Sequence, residues 1–133
     1  MLSSNIEDYL ERIYIFIQKN KRPVKTTELA KILNVNPSAI TSMAKKLHAE
    51  GYVVYEPYVG ILLSKKGEEV AKKTIRKHRI IESFLKNCLG IDAHKSSEEA
   101  CKMEHVISEE TIEKLYEFMN KLKSKKDRID GII

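Results

Sequence analysis

Residues 26–63 constrain this chain more than any other stretch. A short amphipathic run, Thr26 to Leu33, carries Leu29, Ile32 and Leu33 on one side and is followed by Asn34-Val35-Asn36 and then Pro37. Proline suits the first position of a helix, where its missing amide would have had no partner anyway, and asparagine is a good residue just before it. Ile40, Met43, Ala44 and Leu47 then recur at i, i+3, i+4 and i+7, the spacing of one helix face. Gly51 ends that run. Two helices joined by about three residues make a helix-turn-helix. Thr26 or Thr27 is expected to cap the first helix, with Glu28 favourable in its first turn.

Two short strand-like segments follow at once, Tyr52-Val53-Val54-Tyr55 and Ile61-Leu62-Leu63, separated by Glu56-Pro57-Tyr58-Val59-Gly60. A hairpin directly after the second helix is the order of a winged helix-turn-helix. The side of that helix away from its apolar stripe carries Ser38, Ala39, Thr41, Ser42, Lys45 and Lys46. These side chains are small, polar or basic. Such a face enters a major groove without steric conflict, its hydroxyls reach phosphates or base edges, and its lysines neutralise phosphates. Thr26, Asn36 and Pro37 border the same surface. The expected wing would lie against the sugar-phosphate backbone. The plain alternative is an ordinary solvated helix face.

Net charge is +5, which favours a polyanionic partner but only mildly. Hydrophobic residues make up 42% and charged residues 32%, the balance of a globular chain and not of a disordered one. No apolar run approaches the roughly 20 residues needed to span a bilayer, and the first residues lack the pattern of a secretion signal. A cytoplasmic protein with no membrane association is therefore expected. Two cysteines, Cys88 and Cys101, are too few for a disulfide framework.

Outside the central motif, residues 4–19 read as a helix with Ile6, Leu10, Ile13 and Ile17 as its stripe. Asp8 and Glu11 fall on roughly the opposite face. Alone they read as solvated carboxylates, and they matter only if other ligands gather near them. Ser64 opens a long helix expected to run to about Cys88, rich in Lys and Arg between Lys65 and Arg79. On it His78 and Glu82 stand at i and i+4, His78 within a largely apolar arc. Cys88 reads as a small core residue. A fifth helix then carries Cys101, Glu104 and His105 at i, i+3 and i+4. In a helix that spacing brings a thiol, a carboxylate and an imidazole to one face. These groups share few roles besides binding a borderline transition metal. The competing reading is a free cysteine beside a solvated Glu-His pair. Ser108 caps a sixth helix, where Ile112, Leu115, Tyr116, Met119 and Leu122 form an apolar stripe. Little chain remains to cover it, so a partner subunit is expected there, followed by a polar, frayed tail from Lys121 to Arg128.

The order of these features, with Lys77-His78-Arg79 and the run Glu99-Ala100-Cys101-Lys102-Met103-Glu104-His105-Val106-Ile107-Ser108, resembles the diphtheria-toxin-repressor and manganese-transport-regulator family of metal-dependent repressors. The resemblance covers nearly the whole chain, in the short form without an SH3-like domain. It implies a mainly α fold with a small β-hairpin. Residues 1–64 would form a winged helix-turn-helix domain and residues 65–133 a helical metal-binding and dimerisation domain, the site being shared with the first helix. It implies a homodimer that binds a palindromic double-stranded DNA operator when loaded with metal. It further implies that Cys101, Glu104, His105 and His78 are ligands, that Glu82 belongs to an ancillary site, and that Asp8 and Glu11 are first-helix ligands.

This chain departs from both branches of the family. Asp8 stands where the iron branch has methionine, Cys101 where the manganese branch has glutamate, and Ser97 where the iron branch has an ancillary histidine. The thiolate favours softer ions and the carboxylates harder ones. The activating metal is expected to be Mn(II) or Fe(II), leaning to Mn(II), with Zn(II) or Co(II) also binding. No small organic ligand is expected. The competing function is a metal-independent winged-helix DNA-binding regulator whose fifth helix is structural. An enzyme is not expected: there is no Gly-rich phosphate loop, no H-E-x-x-H and no nucleophile motif.

Overall fold

The computed structural model describes residues 3–132, with side chains through Lys123. The chain divides into two compact units, Met1–Thr74 and Ile75–Ile133. The division falls inside one helix.

The first unit begins with α1 (Ser4–Asn20), capped by Ser3, whose hydroxyl accepts from the Ile6 amide. It ends at Lys21 in the left-handed conformation. α2 (Thr26–Leu33) starts one residue earlier than the threonine cap predicts, because Lys25 is the N-cap. The reason lies three residues on. The Glu28 carboxylate accepts the Lys25 amide at 3.0 Å and is itself held by both terminal nitrogens of Arg22 at 2.8 and 2.6 Å. That Arg22 hydrogen bond is the main cause that draws the Glu28 pKa down to about 2. Asn34 closes α2 in the left-handed conformation, and α3 (Pro37–Ala49) opens on Pro37.

The strands β1 (Val53–Glu56) and β2 (Gly60–Leu63) pair antiparallel, Val53 opposite Leu63 and Glu56 opposite Gly60. β2 is bridged on its other side by Val24, which exchanges two backbone hydrogen bonds with Ile61. Gly60 has φ +130° at this crowded point, where a Cβ would lie 2.8 Å from the Val24 carbonyl oxygen. The hairpin is therefore tied to the body of the unit. The core beneath it joins Leu10 and Ile13 of α1, Leu29 of α2, Ile40, Ala44 and Leu47 of α3, and Val53 and Ile61 of the hairpin. The expected stripes of α1 and α3 thus face the core, with Ile17 and Met43 only half-buried against it. Glu11, expected on a solvated face, is also buried.

α4 (Lys65–Ser83) starts where Ser64 accepts from the Gly67 amide at 3.1 Å and donates to the Gly51 carbonyl at 2.6 Å. Its continuation into the second unit is not α-helical to Cys88 as expected. Phe84–Cys88 form a π-helical turn. The wider turn changes the register, so Leu85 points inward and Cys88 is exposed and not in the core. α5 (Ala93–Met103) is capped by Asp92, which accepts from the Lys95 amide at 2.9 Å. It ends before two of the residues expected on it: Glu104 is its C-cap and His105 lies in the following turn. Ser108 accepts from the Thr111 amide and starts α6 (Glu109–Ile132). The second core comprises Ile80, Ile81, Leu85, Ala100 and Ile112, with Leu115 and Met119 packed on it. Ile112, expected in an uncovered stripe, is buried inside its own unit. Tyr116, Phe118 and Leu122 remain exposed. The expected tail falls within the span of α6, and its side chains from residue 124 onward lie outside the described residues. Among the described residues no helix is long and apolar enough to cross a membrane.

Candidate metal centre and DNA-binding surface

Within the second unit, α4 carries His78 to the start of the α5–α6 connection. His78 Nδ1 lies 2.8 Å from Glu104 Oε2, and Nε2 lies 3.0 Å from Glu82 Oε2. Both ring nitrogens face carboxylate oxygens, an arrangement that the imidazolium satisfies fully because only the charged ring donates from both. The hydrogen bond to Glu104 is the main reason the His78 pKa lies above its ordinary value. Partial burial opposes the shift and Glu82 adds to it. Cys101 Sγ stands 3.7 Å from the same Nδ1. His105 Nε2 stands 3.5 Å from the other Glu104 oxygen, Oε1.

Glu104 is the centre of this group. It is 1% exposed, and Oε1 is buried with no hydrogen-bond partner. A buried polar atom left without a partner costs about 1–3 kcal/mol, more when charged, so such atoms need a reason. A cation held by Glu104 supplies one. The side chains around it are an imidazole, a thiol and a second imidazole, the donors that suit a divalent transition metal. The residues present fit such an ion.

The spacing of Cys101, Glu104 and His105 therefore brings these groups together as expected, but not on one helix. The connection does it. The Glu104 amide still bonds back to Ala100, the amides of Val106 and Ile107 both bond to Met103, and the chain then turns into α6. Lys77 fixes this connection from α4. Its Nζ donates to the Ile107 carbonyl at 2.8 Å and lies 3.5 Å from Glu109. Arg76 pairs with Glu113 at 2.7 Å and lies over the Tyr116 ring. Sequence reasoning grouped Arg76 and Lys77 with a basic surface; the structure engages both inside the second unit. Nothing local signals this, since the partners of Lys77 and Arg76 lie 30 to 40 residues further along the chain. Asp8 and Glu11 lie on α1 in the first unit, Asp8 half-buried and Glu11 buried.

The first unit presents the expected polar face of α3. Ser38, Ala39, Ser42, Lys45 and Lys46 are exposed, as are Asn36 and Pro37. Thr41 and Thr26 are half-buried, and the Thr41 hydroxyl donates to the Pro37 carbonyl at 3.2 Å. His48, on the last turn of α3, accepts the Tyr55 amide through Nδ1 at 3.1 Å and so ties the hairpin to this helix.

The sequence matches two domain families in tandem. Residues 1–61 match the N-terminal DNA-binding domain of iron-dependent repressors, and residues 64–129 their metal-binding and dimerisation domain. An uncharacterized HTH-type transcriptional regulator of Methanocaldococcus jannaschii is 60% identical over 93% of this chain and 99% of its own length. The HTH-type transcriptional regulator MntR of Shouchella clausii is 33% identical over 99% of this chain and 91% of its own. The chain belongs to the iron-dependent (DtxR/MntR) repressor family of transcriptional regulators. Among solved structures, the manganese regulator SloR superposes with a TM-score of 0.76 at 37% identity, over 90% of this chain. This regulator spans about half the length of that chain, 55%. Members of this family are transcriptional regulators and not enzymes.

Proposed function

We propose that this regulator is a divalent-metal-dependent repressor of metal-ion homeostasis genes, binding a palindromic operator as a homodimer when loaded with Mn(II) or Fe(II). The buried Glu104 carboxylate carries the reading. It sits among His78, Cys101 and His105 with one oxygen lacking a hydrogen-bond partner. His78, Cys101, Glu104 and His105 hold the ion; Glu82 orients His78 from the far side of its ring. The resemblance adds Asp8 and Glu11 to the ligand set. The bound ion would supply positive charge and fixed coordination directions among these donors. Zn(II) and Co(II) suit the same donors and outrank Mn(II) in raw affinity, so selection for Mn(II) or Fe(II) rests on coordination geometry.

For DNA, Ser38, Ala39, Thr41, Ser42 and Lys45 of α3 enter the major groove, with Thr26, Asn36 and Pro37 against the backbone. Two copies of α3 must stand about one helical turn of DNA apart, roughly 34 Å, to engage one palindrome. Tyr116 and Leu122, exposed on α6, and the half-covered Leu115 and Met119 supply the apolar surface for the second copy, with Ile112 behind them in the core. Footprinting on duplexes selected from a random library, with metal-stripped and Mn(II)-loaded protein, tests the reading. Protection that needs the metal is expected. Equal protection in both states returns the metal-independent winged-helix regulator, and no protection in either ends the DNA-binding reading.

A further inference from the structure

Among the described residues, no strand covers the outer edge of β1. Ile61 of β2 gives both of its backbone hydrogen bonds to Val24. A strand residue directs its amide and carbonyl to the same side, so Ile61 and Tyr55, which face each other across the hairpin, form a non-hydrogen-bonded pair. Tyr55 therefore turns its amide outward, away from β2. His48, on the last turn of α3, takes that amide on Nδ1 at 3.1 Å. The ring itself is exposed, so it buries little apolar surface and stands outside the core. What it contributes is one bond of defined direction.

That bond helps set where the hairpin stands. The base of the hairpin is fixed by backbone, the Tyr52 amide on the Leu47 carbonyl at 2.9 Å and the Ser64 amide on the Tyr52 carbonyl at 3.1 Å. Its β2 edge is held by Val24. The His48 bond lies further toward the tip and joins β1 directly to the helix whose polar face is exposed. It also demands one form of the ring. An amide only donates, so Nδ1 must accept, and an imidazole accepts only when neutral, here with its proton on Nε2. The imidazolium carries a proton on both nitrogens; two N–H groups would then point at each other, and the bond is lost. Imidazoles change charge between about pH 5 and pH 8. The charged groups on the elements around the ring are Lys45, Lys46 and Glu50 at the end of α3, Glu56 of β1 and Lys66 of α4, and the phenols of Tyr52 and Tyr55 are the other titratable groups. Lys66 is engaged elsewhere, donating to the Glu50 carbonyl at 3.4 Å and lying over the Tyr52 ring. Among the described residues neither Glu50 nor Glu56 pairs with His48, so no carboxylate holds the charged ring in place.

Resting on the DNA-binding reading above, we infer that His48 is a pH-sensitive positioning residue for operator recognition: its neutral ring holds the hairpin against α3 in the arrangement that fits the operator, and protonation releases the hairpin. The positive charge gained on protonation attracts every duplex alike, because phosphate attraction is blind to sequence. Acidification therefore lowers the discrimination between operator and other DNA, and not affinity alone.

The test uses the full-length chain at saturating Mn(II), a duplex selected by the wild-type protein from a random library, and a scrambled duplex of equal length. The readout is the ratio of the two affinities. His48→Asn places an acceptor oxygen where Nδ1 stands and does not titrate. Its ratio should match wild type at about pH 7.5 and exceed it about 5-fold at about pH 5.5, the worth of one hydrogen bond. His48→Leu keeps the bulk without an acceptor and should show the lowered ratio at both pH values. Protonation of other groups, those of the metal centre included, acts on all three proteins alike and cancels in the comparison. If wild type and His48→Asn share one pH profile, or if His48→Leu discriminates as wild type does at the higher pH, the inference falls while the repressor reading stands. A His48→Asn protein as poor as His48→Leu at the higher pH overturns it too. Should His48→Leu fail to fold, the comparison of wild type with His48→Asn still decides. If wild type itself selects no duplex, the underlying reading has failed, and the inference with it.

Discussion

Replacing Glu104 by glutamine keeps the shape of the side chain and removes the charge on which the proposed centre depends. Two consequences separate. In the metal-free protein, one charge-assisted hydrogen bond to His78 weakens, but His78 keeps Glu82 at 3.0 Å, and the buried carboxylate no longer bears its own desolvation cost. A loss of no more than about 1–2 kcal/mol is expected. Metal binding suffers more. Even groups that only orient a ligand cost about 10–100-fold in affinity when removed, so loss of an anionic ligand should cost at least about 100-fold. At a Mn(II) concentration about 100 times the wild-type Kd, binding stabilises the folded state by about 2.7 kcal/mol; with a Kd about 100-fold weaker, the same concentration yields only about 0.4 kcal/mol. For a chain of 133 residues these become Tm rises of about 10 °C and about 1.5 °C. Differential scanning fluorimetry of both proteins with and without Mn(II) reads both numbers. A Glu104→Gln protein whose Tm still climbs by about 8 °C or more on adding metal would show that Glu104 is not a ligand, and the centre proposed here would be wrong.

Other consequences can be checked separately. Gly67→Ala places a Cβ against the Tyr52 carbonyl, which is backbone and cannot step aside, so α4 must shift from the hairpin; a loss of about 2–4 kcal/mol by urea unfolding is expected. Glu28 has its pKa drawn from near 4.5 to about 2, chiefly by Arg22, so its contribution is present above pH 4.5 and lost as pH falls toward 2. Glu28→Gln should therefore flatten that part of the stability–pH curve, seen by circular dichroism, while leaving pH 7 and above parallel to wild type. Cys101→Glu exchanges the one soft donor of the centre for a hard one and should move the order of activation by Mn(II), Fe(II) and Zn(II) in operator binding toward Mn(II). An unchanged order would remove Cys101 from the selectivity argument.

What the sequence made legible and what it hid differ in the range of the interactions involved. α1, α2, α3 and the hairpin were readable because their signals are local: apolar residues at helical or strand spacing, Pro37 after Asn36, and glycine at Gly51 and Gly60. The sequence points to a threonine as the cap of α2, because the usual signal is the cap residue itself. Here Glu28, oriented by Arg22, satisfies the amide from the other side. The sequence alone leaves the whole α6 stripe open, since only the fold packs Ile112 with Ile80, Ile81 and Ala100 while Tyr116 and Leu122 stay exposed. Cys88 reads as a core residue from its small, apolar character alone, and the π turn that leaves it exposed has no signal in the sequence.

The candidate centre shows the same division. The triad of Cys101, Glu104 and His105 was visible because a carboxylate three residues and an imidazole four residues after a thiol face one way in either a helix or the tight turn that follows one. The ending of α5 between Cys101 and His105 was invisible, and it matters more. On a continuous helix all three side chains would share one rigid rod. Here Cys101 belongs to α5, while Glu104 and His105 belong to the connection that leads through Ser108 into α6. Lys77 grips that connection at Ile107 and the start of α6 at Glu109, and the next residue, His78, meets Glu104. Two neighbouring residues of α4 thus hold the connection, one by its backbone and one by its acidic side chain. A cation drawn to Glu104 would tighten the joint from which α6 emerges, and α6 carries the exposed Tyr116 and Leu122 proposed to meet the second copy. The ligand positions and the dimerisation helix are then coupled by the shortest route available, a few residues of chain.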